Sequence, residues 1–175
     1  MSIEYLKKII IPPDLPNEAP SEIVLKDFEV EIALLPEDYK DFIKTYGSGS
    51  IDNFMWICNP AANNPFLNLY IQIKAYLNSL QRVYGICTVL DQYKLYPESN
   101  GLLPFGGNDN GDLLLWKTHG HPNEWNIVVL ESRMGEVEEF NENMACFLCS
   151  ILSRKKTCKI FPDDFPSSAP FFKPI

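Results

Sequence analysis

A chain of 175 residues, 46% of them hydrophobic and 13% aromatic, is long enough to bury one sizeable core and too short for two, and 22% charged residues argue against disorder. Its formal net charge of -8 and pI of about 4.7 argue against binding nucleic acid or an anionic membrane through bulk charge. Such a charge is suited to a basic partner, although it can also do no more than keep the protein soluble. No apolar run approaches the length of a bilayer span and the N-terminus has no signal-peptide pattern, so we expect a cytoplasmic protein.

Prolines set the N-terminal segment apart from the rest of the chain. Four of them lie within residues 1–20 and break any helix begun at Ile3–Ile11, so we predict a short proline-rich arm laid on the domain. The domain is assigned to residues 21–156. Residues 157–175 are rich in proline and phenylalanine and are predicted to dock on it as extended chain, because free phenylalanines would be sticky.

Two helices are predicted before residue 50. Ser21 is a suitable N-cap for the first, which should run to about Glu29. The second opens at Leu35-Pro36, because proline fits the first helical turn and acidic residues follow it, and Gly47 ends it. Its apolar residues recur at i, i+3, i+4 and i+7, which is typical of a buried stripe: Tyr39, Phe42, Ile43 and Tyr46.

The next fifty residues predict a strand, a long helix and a less regular segment. Ile51 to Ile57 alternates enough for one strand. Asn64-Pro65 resembles a cap followed by a first-turn proline, and the longest helix should run from about Phe66 to Tyr84, where Gly85 stops it. Cys87 to Leu90 then favours the start of another strand.

Residues 102–116, LLPFGGNDNGDLLLW, contain the strongest turn pattern in the chain. Asn110-Gly111 is a turn dipeptide between two apolar runs, so we predict two strands joined by a tight loop, with Asp112 at the start of the second. The loop lacks the Lys-Ser/Thr of a phosphate-binding loop, and its carboxylates would repel a phosphate. A structural hairpin is therefore favoured over a small-ligand site.

The last third predicts two strands and a helix. A polar loop with His119 and His121 leads to a strand at Trp125–Leu130, a turn at Met134-Gly135 and an acidic strand at Val137–Phe140. Asn141 or Asn143 caps the final helix, whose apolar stripe is Met144, Phe147, Leu148, Ile151 and Leu152.

The order of these motifs resembles the SUKH superfamily, which includes a yeast cell-wall synthesis regulator and many bacterial immunity proteins. The resemblance covers roughly residues 21–153 and includes the opening helix motif, a Phe-Gly-Gly loop leading to Gly-Asp, and the final strands and Phe-Leu helix. The motif residues are Leu35, Pro36, Tyr39, Phe42, Gly47, Gly49, Phe105, Gly106, Gly107, Gly111 and Asp112.

The resemblance implies an α+β domain with a mostly antiparallel sheet of four to six strands flanked by helices. It also implies a non-catalytic immunity protein without a cofactor, of the kind found in toxin-antitoxin and contact-dependent inhibition systems, that binds and neutralises a cognate toxin, often a nuclease. Nucleases tend to be basic, so an acidic inhibitor would be steered to them. The residues expected to contact the toxin are Asp109, Asp112, Trp116, Glu124, Glu136, Glu138 and Glu139.

Three alternatives remain open from the sequence. The first is a regulatory scaffold related to the cell-wall regulators. The second is a small metal-dependent hydrolase using His119, His121 and Asp112, or a metal site at Cys146 and Cys149. The third concerns Trp116, which fits a surface anchor and a core residue equally well.

Overall fold

A computed structural model describes residues 3–133 and 136–175; the turn predicted at Met134-Gly135 lies outside this range. The helices are α1 (Ile3–Ile9), α2 (Glu22–Glu31), α3 (Glu37–Tyr46), α4 (Leu69–Val83) and α5 (Met144–Leu152). The strands are β1 (Gly49–Ile51), β2 (Met55–Ile57), β3 (Leu102–Asn108), β4 (Leu113–Lys117), β5 (Asn126–Leu130), β6 (Val137–Phe140) and β7 (Phe172–Pro174). Short 3₁₀ helices lie at Leu90–Gln92 and Pro122–Glu124.

The strands form one sheet in the order β6-β5-β4-β3-β2-β1-β7, and neighbouring strands are antiparallel throughout. The predicted α+β class and antiparallel sheet are confirmed, with seven strands where four to six were expected. The single strand predicted at Ile51–Ile57 is wrong, because the chain turns back on itself there. Asp52 and Asn53 take φ of 54° and 53°, a conformation that Asp and Asn tolerate better than most residues, and this separates β1 from β2.

The central strands are buried on both faces by two apolar clusters. Helices α1, α3 and α5 contribute to the larger one, and α4 contributes to both, through Leu69 and Ile73 in the larger cluster and Leu80 in the smaller. The larger cluster includes α1, α3 and α5 and surrounds Trp116, which is 0% exposed and packs on Tyr39 and Phe105 at ring-centroid distances of 5.0 and 4.5 Å. The smaller cluster joins Leu80 of α4 to the opposite faces of β3, β4 and β5. Strands buried on both faces are continuously apolar, as Leu113–Trp116 is.

Helix α3 has the predicted buried stripe, and its two tyrosines also anchor other segments. The Tyr39 hydroxyl donates a hydrogen bond to the carbonyl of Cys58 at 2.7 Å, and the Tyr46 hydroxyl donates one to the carbonyl of Ile10 at 2.8 Å. Both rings are fully buried, so each hydroxyl needs such a partner.

Two predictions in the middle of the chain are wrong: the start of the long helix and a strand after it. Helix α4 begins at Leu69 rather than at Phe66, because Asn68 is its N-cap and Asn64 caps only the preceding turn. Phe66 is consequently 76% exposed instead of core. No strand forms at Cys87–Leu90, where the chain enters a 3₁₀ helix at Leu90–Gln92.

Both terminal segments contribute to the packed structure. Helix α1 precedes the prolines, and Leu6 and Ile10 lie fully buried in the larger cluster. At the other terminus β7 pairs with β1, and Phe172 packs on Tyr46 with ring centroids 5.0 Å apart. The division into arm, domain and tail stays a prediction. Among the described helices, none has the length and apolar content needed to cross a membrane.

Candidate protein-binding surface

Successive loops of an antiparallel sheet alternate between its two ends. The register pairs Met55 with Asn108, Leu113 with Leu130, and Leu130 with Val137, so the β1–β2, β3–β4 and β5–β6 connections meet at one end. We call this the acidic end and define it as residues 52–54, 108–112, 131–133 and 136, together with tail residues 159–167. The β4–β5 loop, residues 118–125, lies at the opposite end.

A buried carboxylate fixes two loops of the acidic end. Asp112 is 2% exposed and accepts hydrogen bonds from the Asn108 Nδ2 at 2.8 Å and the Ser132 backbone N–H at 2.9 Å. Asn108 Oδ1 in turn accepts from the backbone N–H groups of Asn110 and Asp112 at 3.1 and 3.0 Å. Charge-assisted bonds of this kind hold the β3–β4 loop against the β5–β6 connection.

A second carboxylate ties the tail to the same end. Asp52 accepts hydrogen bonds from the backbone N–H of Ser167 at 2.8 Å, the Ser167 hydroxyl at 3.1 Å and the backbone N–H of Phe171 at 3.0 Å. Phe54 packs on Phe165 with ring centroids 4.7 Å apart, and its carbonyl accepts from the backbone N–H of Asp109 at 2.9 Å. Three loops and the tail are thus joined into one surface.

This surface is negatively charged. A cleft of about 250 Å³ lies between the β3–β4 loop and the β5–β6 connection, with Ile160 of the tail on its wall. The exposed carboxylates of the acidic end are Asp109, Glu136, Asp163 and Asp164, and its exposed cations are Arg133 and Lys159. Carboxylates outnumber cations, so the exposed charge here favours a basic ligand.

The two glutamates inside β6 have partners within the protein. Glu139 accepts hydrogen bonds from the Tyr93 hydroxyl at 2.7 Å and from Lys117 Nζ at 2.9 Å. Partial burial raises the pKa of Glu139, but these two hydrogen bonds and the Lys117 charge outweigh it and leave the pKa lowered. Glu138 accepts from the backbone N–H of Lys159 at 2.7 Å and so fixes the start of the tail.

Glu124 lies at the opposite end of the sheet from Asp109 and Glu136. Its carboxylate accepts from the His121 backbone N–H at 3.4 Å, and the His121 ring accepts from the Asn123 N–H at 3.3 Å, which together cap a 3₁₀ helix. The seven residues expected to contact a partner therefore do not form one patch, because strand β4 separates Glu124 from the loops that contain Asp109 and Glu136.

Two further expected contact residues are not at the surface. Trp116 is 0% exposed and Asp112 is 2% exposed, so neither side chain can reach a partner. Of the two interpretations of Trp116, the structure favours the core residue. Asp112 positions the exposed loop instead of contacting a ligand.

The three residues of the hydrolase alternative are far apart. Asp112 precedes β4 and both histidines follow it, and five strand residues span roughly 17 Å. His119 Nδ1 lies 2.6 Å from Asn100 Oδ1. Across residues 3–133 and 136–175 there is no group of three or more His, Cys, Asp or Glu side chains that could hold a metal ion. Cys149 is fully buried and Cys146 partly so.

The sequence predicted that the tail docks on the domain, but not that it contributes to the acidic end. Asp163 and Asp164 add exposed charge, and Asp52 holds Ser167 across 115 positions of sequence. Nothing local to either segment predicts this contact. The only indication that the tail packs on the domain came from its composition, because four phenylalanines in a terminal segment would be exposed to water unless they packed against another surface.

Comparison with protein-family models identifies a match. A family model described as SUKH_6, SMI1-KNR4 cell-wall, matches residues 25–148, which is more than half of the chain and includes the opening helix motif and the whole β3–β4 hairpin. Searches of curated proteins and of solved structures found no match.

Proposed function

Because the chain belongs to the SUKH_6, SMI1-KNR4 cell-wall family, as its motifs predict, we propose that it is a non-catalytic binding module that neutralises a cognate toxin by direct contact. The partner is a basic protein, for which a nuclease is the leading candidate because nucleases bind phosphates through cationic surfaces. The observation that carries the proposal is the negatively charged acidic end, whose loops and tail are joined by hydrogen bonds.

Rigidity supports a binding role, since a surface held in one conformation loses little entropy when a partner docks. Asp112 and Asp52 use buried or partly buried hydrogen bonds to hold the loops and the tail in place. Asp109 stands at the tip of the fixed β3–β4 loop with its side chain exposed. Such an arrangement presents charge without requiring the loop to reorganise.

The placement of the reactive side chains supports a role that does not involve catalysis. Asp112 and the two histidines stand at opposite ends of β4, and burial raises the pKa of the Cys58 thiol to about 12, which keeps it protonated and unreactive. A triad or a metal site needs such groups within hydrogen-bonding or coordination distance of one another.

The test begins with the product of the adjacent reading frame. That protein is purified and titrated with this chain by calorimetry at low and at physiological salt, and we expect tight binding that weakens as salt rises. Asp109→Lys should slow association roughly tenfold at low salt, as stopped-flow mixing measures, and lower the affinity by a similar factor. The matched control is Glu98→Lys, which changes the net charge equally at an exposed site near the opposite end of the sheet, where its ion pair with Lys94 is long, 3.9 Å.

Two results would count against the proposal. One is a neighbouring product that does not bind and lacks any toxic activity in cells without this chain. The other is equal loss of affinity in Asp109→Lys and Glu98→Lys, since the acidic end would then have no special part in recognition.

A second candidate function is a regulatory scaffold for cell-wall proteins, and the family description favours it. The same surface would then bind an endogenous partner. The two functions differ in one observation: deletion of the chain makes the cell sensitive to the neighbouring product in the first case, and alters cell-wall assembly without that product in the second.

A further inference from the structure

Strand β6 is at one edge of the sheet, so only one side of its backbone pairs with a neighbouring strand, β5. The Glu131 N–H donates to the Glu136 carbonyl at 3.0 Å, so residues 131 and 136 form a hydrogen-bonded pair. Hydrogen-bonded and non-hydrogen-bonded pairs alternate along an antiparallel ladder. The backbone N–H and C=O groups of Val137 and Glu139 therefore point away from β5, and within residues 3–133 and 136–175 they have no hydrogen-bond partner.

This open edge lies in a groove. A recess of about 440 Å³ is lined by Val89 on one side, Lys159 on the other, and Glu136, Val137 and Glu138 of the strand and its approach. Edge strands are usually protected from further pairing by a bulge, a proline, a covering element, short length or charged side chains, and β6, with four residues and two glutamates, has the last two of these features. Proline and bulge are absent from Val137–Phe140, whose register with β5 is continuous.

Charge indicates which kind of strand fits the groove. If β6 paired antiparallel with a second copy of itself, with Val137 opposite Val137 or Glu139, Glu138 of one copy would face Glu136 or Glu138 of the other, and like charges directly opposite each other destabilise a sheet. A strand with basic residues at alternate positions meets no such repulsion. Lys159 and Lys117 are the cations near β6, and Lys117 is already paired with Glu139.

We propose that the outer edge of β6 binds an extended segment of a basic partner as an eighth strand. Its backbone pairs with Val137 and Glu139, its basic side chains face Glu136 and Glu138, and its alternate apolar side chains face Val89 and Val137. The inference rests on the proposed function, because it identifies where the toxin docks. Glu136 belongs to both the acidic end and the groove, so the two surfaces are continuous.

The first experiment changes an outward backbone group of β6 and leaves the hydrogen bonds between β6 and β5 intact. The Val137 N–H takes no part in pairing with β5, so Val137→Pro removes an outward donor at a position where an edge strand accepts proline. It should weaken binding of the neighbouring product by roughly 10- to 100-fold. The control Val137→Thr keeps the N–H and the β-branched shape and loses only part of the apolar contact, so it should bind clearly more tightly than Val137→Pro.

The second experiment needs only the wild-type protein, so it decides the matter even if the proline variant unfolds. Amide hydrogen exchange is measured with an N-acetylated, C-amidated peptide of alternating lysine and valine, and with its glutamate-valine counterpart. The lysine peptide should slow exchange at Val137 and Glu139 and leave Glu138, already paired with Val129, unchanged. Unchanged exchange at both outward amides with millimolar peptide would overturn the proposal.

The outcomes separate this inference from the proposed function. Tight binding of the neighbouring product with equal affinity for Val137→Pro and Val137→Thr refutes the edge and leaves the function intact. Protection by the lysine peptide without binding of the neighbouring product supports the edge and refutes the toxin. Self-association in sedimentation that Val137→Pro abolishes would assign the edge to a second copy of this chain instead.

Discussion

Asp112→Asn tests whether a buried carboxylate holds the loops of the acidic end. Asn108 Oδ1 already accepts two backbone N–H groups, so the Asn108 amide cannot turn over and its Nδ2 must donate toward residue 112. The Ser132 N–H donates to the other Asp112 oxygen. An asparagine at 112 has one oxygen and one NH₂ group, so it must place a donor against a donor.

The expected loss of stability follows from the two hydrogen bonds that Asp112 accepts from Asn108 and Ser132. A hydrogen bond to a charged group contributes about 1.5–3 kcal/mol, and a buried donor left without an acceptor costs about 1–3 kcal/mol. Since asparagine keeps the shape and one of the bonds, we expect the free energy of unfolding to fall by about 3 kcal/mol. Urea unfolding followed by tryptophan fluorescence, to which Trp56, Trp116 and Trp125 all contribute, measures this difference.

The matched control is Asp109→Asn, which makes the same chemical change three positions away at an exposed site. It should change the free energy of unfolding by less than about 0.5 kcal/mol. If Asp112→Asn also stays within about 0.5 kcal/mol of the wild type, the carboxylate does not organise these loops and the reasoning fails.

Three further predictions concern the rest of the chain. Gly47→Ala should destabilise the fold by about 3 kcal/mol or more in thermal unfolding, because Gly47 has φ of 70° and an added Cβ would lie 2.1 Å from the carbonyl oxygen of Asn17; an unchanged melting temperature would contradict this contact. Glu139→Gln should lower the melting temperature at pH 7, and the difference from the wild type should shrink as pH falls below about 4.5, because the lowered pKa of Glu139 contributes stability above its unfolded value that is lost as pH falls through the folded pKa; a difference that does not change with pH would exclude this origin. Burial raises the pKa of Cys149 to about 11 and that of Cys158 to about 12, so iodoacetamide should modify both in the native protein at pH 8 far more slowly than after unfolding, as mass spectrometry of the digested protein would report.

Elements defined by neighbouring residues could be predicted from the sequence. Helix α3 needs only Pro36, its apolar spacing and Gly47, and the β3–β4 hairpin needs only two apolar runs around Asn110-Gly111. The family resemblance was recognised from these same local motifs, and the family match includes both.

Features that depend on distant residues could not be predicted. Strand β7 exists because Phe172 and Lys173 pair with residues of β1 more than 120 positions earlier. Hydropathy alone does not distinguish a surface tryptophan from a core one, so Trp116 stayed ambiguous until Tyr39 and Phe105 were placed around it. Chemical type indicates which residues could contact a partner, but the alternation of loops between the two ends of the sheet decides which of those residues are neighbours.

The carboxylates divide into two populations, and only one of them is presented to a partner. Asp38 illustrates the first: burial raises its pKa, although it accepts hydrogen bonds from the backbone N–H groups of Ala145 and Tyr39. Asp52 and Asp112 likewise bind backbone N–H groups of this chain. The net charge of -8 therefore includes carboxylates that keep their charge but cannot contact a partner directly. Asp109→Lys and Glu98→Lys have identical net charge, so a simple dependence on total charge requires equal association rates, whereas a local dependence on the acidic end requires that only the first be slow.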